Sequence, residues 1–184
     1  MPRVSRRDII VPGGTYHVIA RGNDKAEIFH DEGDYRRYLS VLRVSKAPQG
    51  VSVYHYALMP NHVHLLVRVA DKGLSAFMQT VQTAYAKHYC LRYGRVGHVW
   101  QGRFKSILIE SDAHLFACGN YIEMNPVRAG FAPAPEAWPY SSYRVYAFGH
   151  ADPLVDIDPF FSGLHEDEER RRVLYRDMLS KTRA

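Results

Sequence analysis

Two apolar, β-branched runs, VSVYHYALM beginning at Val51 and HVHLLVRVA beginning at His62, are separated only by Pro60 and Asn61. A connection that short joins antiparallel neighbours, because parallel strands need a crossover of roughly a dozen residues or more. The spacing therefore predicts a hairpin, and the remaining elements must be arranged around it. Upstream, Pro12, Gly13 and Gly14 form a turn, and TYHVIAR reads as a strand ending at Gly22 and Asn23. In DEGDYRRYLSVLRVSK, residues Tyr35, Tyr38, Leu39, Leu42 and Val44 recur at helical spacing until Pro48 and Gly50 stop the helix. Downstream, the chain from Leu74 to Tyr93 predicts a long amphipathic helix ended by Gly94. VWQGRFKSILI, from Val99 to Ile109, predicts a fourth strand with Gly102 as a bulge. Ser111 or Asp112 then caps a helix containing LFACGNYIEMNPVRAG, with Pro126 at its last turn or at a kink.

The order strand, helix, strand, strand, helix, strand is the split βαβ arrangement of a ferredoxin-like α+β fold. It calls for an antiparallel sheet with helices on one face, and a further helix follows the sheet. Residues 1–132 hold all of these elements. From residue 133 the composition changes to PAPEAWPYSSY, then to a loop and a helix in DIDPFFSGLHEDEERRRVLYRDMLSK. Its early EDEE and later RRR match the helix macrodipole and need no ligand. Residues 133–184 are therefore expected to form an annex that packs on the core.

A chain of 184 residues with 46% hydrophobic and 23% charged residues is composed to bury a core. No apolar run reaches the roughly 20 residues of a membrane span and no signal-peptide pattern opens the chain, which predicts a cytoplasmic protein. Cys90 and Cys118 have no metal-site spacing and read as buried reduced thiols. The net charge is +5, from 24 Lys and Arg against 19 Asp and Glu. Arg3, Arg6, Arg7, Arg21 and Lys25 crowd the first segment, and Arg92, Arg95, Arg103 and Lys105 alternate with Tyr93, Trp100 and Phe104. Cations that follow phosphates, mixed with rings that stack on bases, suit single-stranded nucleic acid, although a solvated surface beside core aromatics has the same composition.

Two constellations can carry chemistry. His62 and His64 in NHVHLLV stand at i and i+2, so on a strand both imidazoles project from one face and can converge on a metal ion. Two histidines leave a coordination shell incomplete, and the same pair also occurs as ordinary strand histidines. Tyr121 and Asn125 in YIEMN stand at i and i+4, on one helix face, with an amide oxygen that suits Mg²⁺ or Mn²⁺. The plainer alternative makes Tyr121 a core-edge aromatic and Asn125 a cap before Pro126. Tyr85 and Tyr89 are rival nucleophiles at helical spacing, while Tyr140, Tyr143 and Tyr146 read as packing residues of the tail.

In combination and in this order, MPNHVHLL, WQGRFKS and YIEMNPVRAG resemble the HUH single-tyrosine transposases, with GGTYHVIARGND and WPYSSY similar to the REP-associated branch. The resemblance implies His62, His64 and Asn125 as ligands of a divalent metal, Mg²⁺ or Mn²⁺, and Tyr121 as nucleophile. It implies single-stranded and hairpin DNA as partner, cleaved and rejoined through a 5′-phosphotyrosine, by a monomer or homodimer. His17 lies on the first strand toward the same site, with no catalytic role assigned. A hydroxyl of tyrosine in water ionises near pH 10, a cost of about 4 kcal/mol at pH 7, and a metal on the scissile phosphate offsets such a cost. Two other classes stay open: a phosphoesterase that activates water on the metal, and a hairpin-binding regulator without activity.

Overall fold

The hairpin is present in the computed structural model, which describes residues 10–71 and 73–181. Strand β1 spans Thr15–Arg21, helix α1 Glu32–Lys46, β2 Val51–Met59 and β3 His62–Val69. Helix α2 follows at Leu74–Tyr93, then β4 at Lys105–Ile109 and α3 at Asp112–Arg128. The four strands form one antiparallel sheet in the order β2-β3-β1-β4, so the split βαβ topology is observed. Met59 pairs with His62 across the corner, as a two-residue connection requires.

Local chemistry sets the helix ends. The Asp31 side chain accepts from the Asp34 N–H and starts α1. Gly94 ends α2 in the left-handed conformation, φ 61°. Ser111, rather than Asp112, caps α3 by accepting from the His114 N–H at 3.2 Å. Pro126 sits inside the last turn of α3 without ending it, and the Asn125 carbonyl still accepts from the Ala129 N–H.

Strand parity divides the molecule. Val63, Leu65, Val67 and Val69 of β3, with Tyr16, Val18 and Ala20 of β1, join the main core beneath α1 and α2. Leu66 turns to the opposite face and packs with Leu115, Cys118 and Ile122 of α3. The further helix, which the sequence left unplaced, therefore covers the second face, and β2 and β3 are buried almost throughout. Burying a side chain such as Ile122, which has no exposed surface, stabilises the α3 contact by roughly 2 kcal/mol.

The fourth strand is shorter than expected. Only Lys105–Ile109 pairs with β1, apart from a single bridge between Gly22 and Trp100. Trp100 is drawn out of line toward α2, where its indole N–H donates to the Gln82 carbonyl at 2.9 Å. Gly102 is not a bulge but a bend residue at φ 71°, which L side chains seldom adopt. The bulge lies instead in β2, where the register to β3 shifts between Val53 and His55. The extra residue, Tyr54, turns the following His55 to the α3 face.

After α3 the chain runs along the free edge of β2. The Tyr140 carbonyl accepts from the Leu58 N–H at 2.9 Å, and the Asp156 N–H donates to the Val53 carbonyl at 2.8 Å. Three further helices follow, α4 at Tyr143–Phe148, α5 at Pro159–Gly163 and α6 at Glu168–Lys181. Tyr143, Tyr146, Phe161, Tyr175 and Leu179 form a second core with Met124 of α3. Cys90 and Cys118 are both free thiols. Among the described residues, no helix is long and apolar enough to cross a membrane.

Candidate active site

The sheet face beneath α3 gathers residues from four elements. Pairing places His64 beside Ile19 and Ala57, His62 beside Arg21 and Met59, and Lys105 beside Ile19. Directly paired residues share a face. His17, Arg21, His62, His64 and Lys105 consequently all stand on the side that α3 covers. Helix α3 brings Tyr121 and Asn125 down on them, because i and i+4 lie one above the other. The result is a cleft of about 620 Å³ bordered by both histidines, Tyr121, Asn125 and the basic side chains of Arg21, Arg103 and Lys105. Gln101 also lines it.

The two imidazoles meet edge to face, with ring centroids 4.9 Å apart. The Asn125 amide lies between them, 3.3 Å from His64 Nε2 and in hydrogen-bonding contact with His62. Burial is the chief force on their titration. It pulls His62 down to about 4, with Arg21 acting in the same direction and the Asn125 contact opposing. It pulls His64 down to about 3, aided by His62, His17 and Arg21. His17 falls to about 4 through burial and His114. Near neutral pH both rings of the His-x-His pair are uncharged, the form that donates a lone pair to a metal.

The donor set suits a divalent ion. Two neutral imidazoles converge, and the Asn125 amide beside them turns its nitrogen toward His64, so its oxygen would join the ligands only after a half-turn of the amide. Nearby positive charge disfavours a site built without an anionic ligand such as phosphate. Among the described residues, no group of three or more His, Cys, Asp or Glu side chains is placed to hold a metal.

Tyr121 is the exposed member of the cluster, at 41% of its full accessibility. Its ring stands edge-on to His64 at 5.7 Å and to His17 at 5.9 Å. The rival tyrosines are elsewhere. Tyr85 and Tyr89 are buried on the inner side of α2, with hydroxyls donating to the Ile28 and Glu27 carbonyls. Tyr146 is buried with its hydroxyl on the Tyr54 carbonyl, Tyr143 is buried in the second core, and Tyr140 stacks on Tyr35 at 3.7 Å.

The basic residues separate into groups. Arg21, Arg103 and Lys105 border the cleft. Arg92 is instead held by Asp31 and Asp34, at 2.5 and 2.9 Å, so its charge is matched within the protein. Arg95 lies on the loop after α2, near Tyr89 and Asn23. Lys25 sits in a left-handed turn at φ 58° and offers its carbonyl to the Asn61 amide. Arg3, Arg6 and Arg7 lie outside the described residues.

Several residues of the site were not apparent from the sequence. The Arg128 guanidinium lies 5.4 Å from the centre of the Tyr121 ring, a proximity that a spacing of two helical turns could have signalled. Behind α3, Glu123 is fully buried and accepts from His55 at 2.9 Å, Ser142 at 2.7 Å and Tyr175 at 2.7 Å. His55 also reaches Asp158 at 3.1 Å. Burial alone would lower His55, but the Glu123 charge and the bonds to both carboxylates outweigh it and raise the ring to about 9. Gly119 permits this approach, since a Cβ there would lie 2.9 Å from His55 Nε2.

Residues 11–125 match the family model described as "Transposase IS200 like". A REP-associated tyrosine transposase of Haemophilus influenzae is 29% identical over 113 residues, covering 55% of this chain and 61% of that relative's length. The chain thus spans less than two thirds of that curated relative. A solved structure described as a REP-associated tyrosine transposase bound to a REP hairpin superposes with a TM-score of 0.65 at 20% identity, covering 86% of this chain and 93% of the other. That likeness shows agreement in fold over more of the chain than residues 11–125. With more than half of its length matched by the family model, the chain belongs to the IS200-like transposases.

Proposed function

We propose that this protein is a metal-dependent transposase that cleaves and rejoins single-stranded DNA beside a hairpin through a 5′-phosphotyrosine. The observation that carries the reading is the convergence of His62, His64, Asn125 and Tyr121 in one cleft edged by Arg21, Arg103 and Lys105. A Mg²⁺ or Mn²⁺ ion held by His62, His64 and Asn125 would polarise the scissile phosphate and stabilise its added charge. The Tyr121 oxygen attacks phosphorus and loses its proton to solvent. The bond to the upstream 3′ oxygen breaks, and that oxygen leaves as a protonated 3′ hydroxyl. The 5′ phosphate of the downstream strand remains on Tyr121, so its ester is available to a second 3′ hydroxyl without an external energy source. Arg21, Arg103 and Lys105 hold phosphates on either side of the break. A hairpin as the recognised DNA is supported by the hairpin in the similar solved structure.

The test uses full-length protein, a hairpin oligonucleotide with single-stranded flanks labelled at either end, and Mg²⁺ or Mn²⁺. On a denaturing gel the reading requires a slowly migrating protein–DNA species that carries only the downstream strand. Free 5′ ends with no attached protein would make it a phosphoesterase that activates water. Binding with no cleavage would make it a regulator.

A further inference from the structure

We infer that Asn61 and His17 are positioning residues that fix the tautomers of His62 and His64, so that both rings present an Nε2 lone pair to the same point. The inference rests on reading the two histidines as metal ligands.

Asn61 comes first. Its Nδ2 donates to the Lys25 carbonyl at 3.0 Å, which fixes which end of the amide faces which way. Its Oδ1 must then be the atom facing His62 Nδ1, at 2.6 Å, and an amide oxygen only accepts. The proton of His62 accordingly sits on Nδ1, and Nε2 keeps its lone pair.

The Lys25 carbonyl is aimed by an unusual turn. Asp24 and Lys25 both adopt left-handed backbone, φ 52° and 58°, although neither is glycine. That conformation is unfavourable for a residue with a Cβ and persists where the surroundings impose it. Here the flanking chain is tied down, with the Gly22 N–H on the Asn61 carbonyl at 2.8 Å and the Ile28 N–H on the Pro60 carbonyl at 2.8 Å. The strained turn and the hairpin corner form one unit, and its product is the orientation of His62.

His64 has a different partner. Its Nδ1 lies 2.9 Å from His17 Nε2, with the rings inclined at 27° and both side chains buried. On its other side, His64 Nε2 faces the Asn125 amide nitrogen, a donor, at 3.3 Å. A ring that accepts at Nε2 carries its proton on Nδ1, and His17 accepts that proton. Partners of this kind fix the ring orientation of a ligating histidine and commonly change metal affinity by about 10- to 100-fold.

The test has two parts, neither of which reads activity. In metal-free, full-length protein, ¹⁵N NMR of the imidazoles should find His62 and His64 each protonated on Nδ1. A proton on Nε2 of either ring overturns the inference for that ring, and no variant is needed. Second, Mn²⁺ is titrated by calorimetry into wild type, His64→Ala, Asn61→Ala, His17→Phe and His17→Gln. Asn61→Ala and His17→Phe, which removes the acceptor but keeps a ring, should each weaken Mn²⁺ about 10-fold or more. His17→Gln, whose amide oxygen can stand where Nε2 stood, should restore most of that loss. Wild-type affinity in Asn61→Ala and His17→Phe, with loss in His64→Ala, overturns the positioning roles alone. No Mn²⁺ binding by wild type, or equal binding by His64→Ala, overturns the metal site and the inference with it.

Discussion

The phenol of Tyr121 meets the imidazole of His64 edge-on, at 88° between ring planes and 5.7 Å between centroids, where α3 crosses the sheet. One side of the Tyr121 ring is thus set against a buried histidine, while the residue as a whole is 41% exposed. Tyr121→Phe removes one oxygen and keeps the packing, so stability should change by no more than about 1 kcal/mol. Cleavage and the covalent adduct should both vanish while hairpin binding persists. An adduct formed by the Phe variant would reassign the nucleophile.

His64→Ala and Asn125→Ala should differ in severity. His64 is buried against His17 and Asn125, and its loss should abolish cleavage at any practical Mn²⁺ concentration. Asn125→Ala should lower cleavage and be partly rescued by raising Mn²⁺, because water can replace a neutral oxygen ligand. A chelator should silence the wild type reversibly. Cleavage that continues in excess chelator would dispose of the metal assignment.

Arg92 and Lys105 should separate in opposite directions. Arg92 is engaged by Asp31 and Asp34, so Arg92→Ala should lower the melting temperature and leave DNA affinity nearly unchanged. Lys105 and Arg103 border the cleft, and alanine at either should weaken DNA binding. Each phosphate left without its cation should reduce the slope of log K against log salt by about 0.7 for single-stranded DNA. The measurement is a salt titration by fluorescence anisotropy, and an unchanged slope in both cleft variants would remove them from the DNA grip.

The His55 cluster makes stability depend on pH in a defined sense. Its folded value is raised from 6.5 to about 9, so the folded state binds a proton that the unfolded chain gives up earlier. The contribution is fully present below about pH 6.5 and is lost as pH rises through about 9, and its size is on the order of 3 kcal/mol. Thermal unfolding between pH 6 and 9.5 should show this decline. His55→Gln should be less stable at pH 6 and lack that part of the decline; an unaltered pH profile in the variant would exclude His55 as its source.

Much of the site was legible because two periodicities report it directly. Alternation along β3 puts His62 and His64 on one face, and the helical repeat puts Tyr121 over Asn125. Periodicity fails where tertiary packing interrupts it. Tyr54 adds one residue to β2 and turns His55 toward Glu123, a change invisible in VSVYHYALM. Trp100 leaves the fourth strand for α2, shortening a run whose composition still reads as strand. Arg92 shares a sequence neighbourhood with Arg95 and Lys105, but its acidic partners come from α1 and the residue before it, which only the packing of two helices brings close. Asn61 and His17 are silent in the sequence for a similar reason: their roles depend on which atom faces which.

Glu123 has a genetic consequence. It sits between Tyr121 and Asn125 in the chain, yet Ser142, Tyr175 and Asp158-bound His55 hold it from behind. A stop codon after Ala132 would leave every described cleft-lining side chain encoded and remove three of the residues that anchor the helix beneath them. Nonsense and frameshift mutations late in the reading frame should therefore be as inactivating as losing the tyrosine, and a copy judged intact by its motifs alone could already be dead.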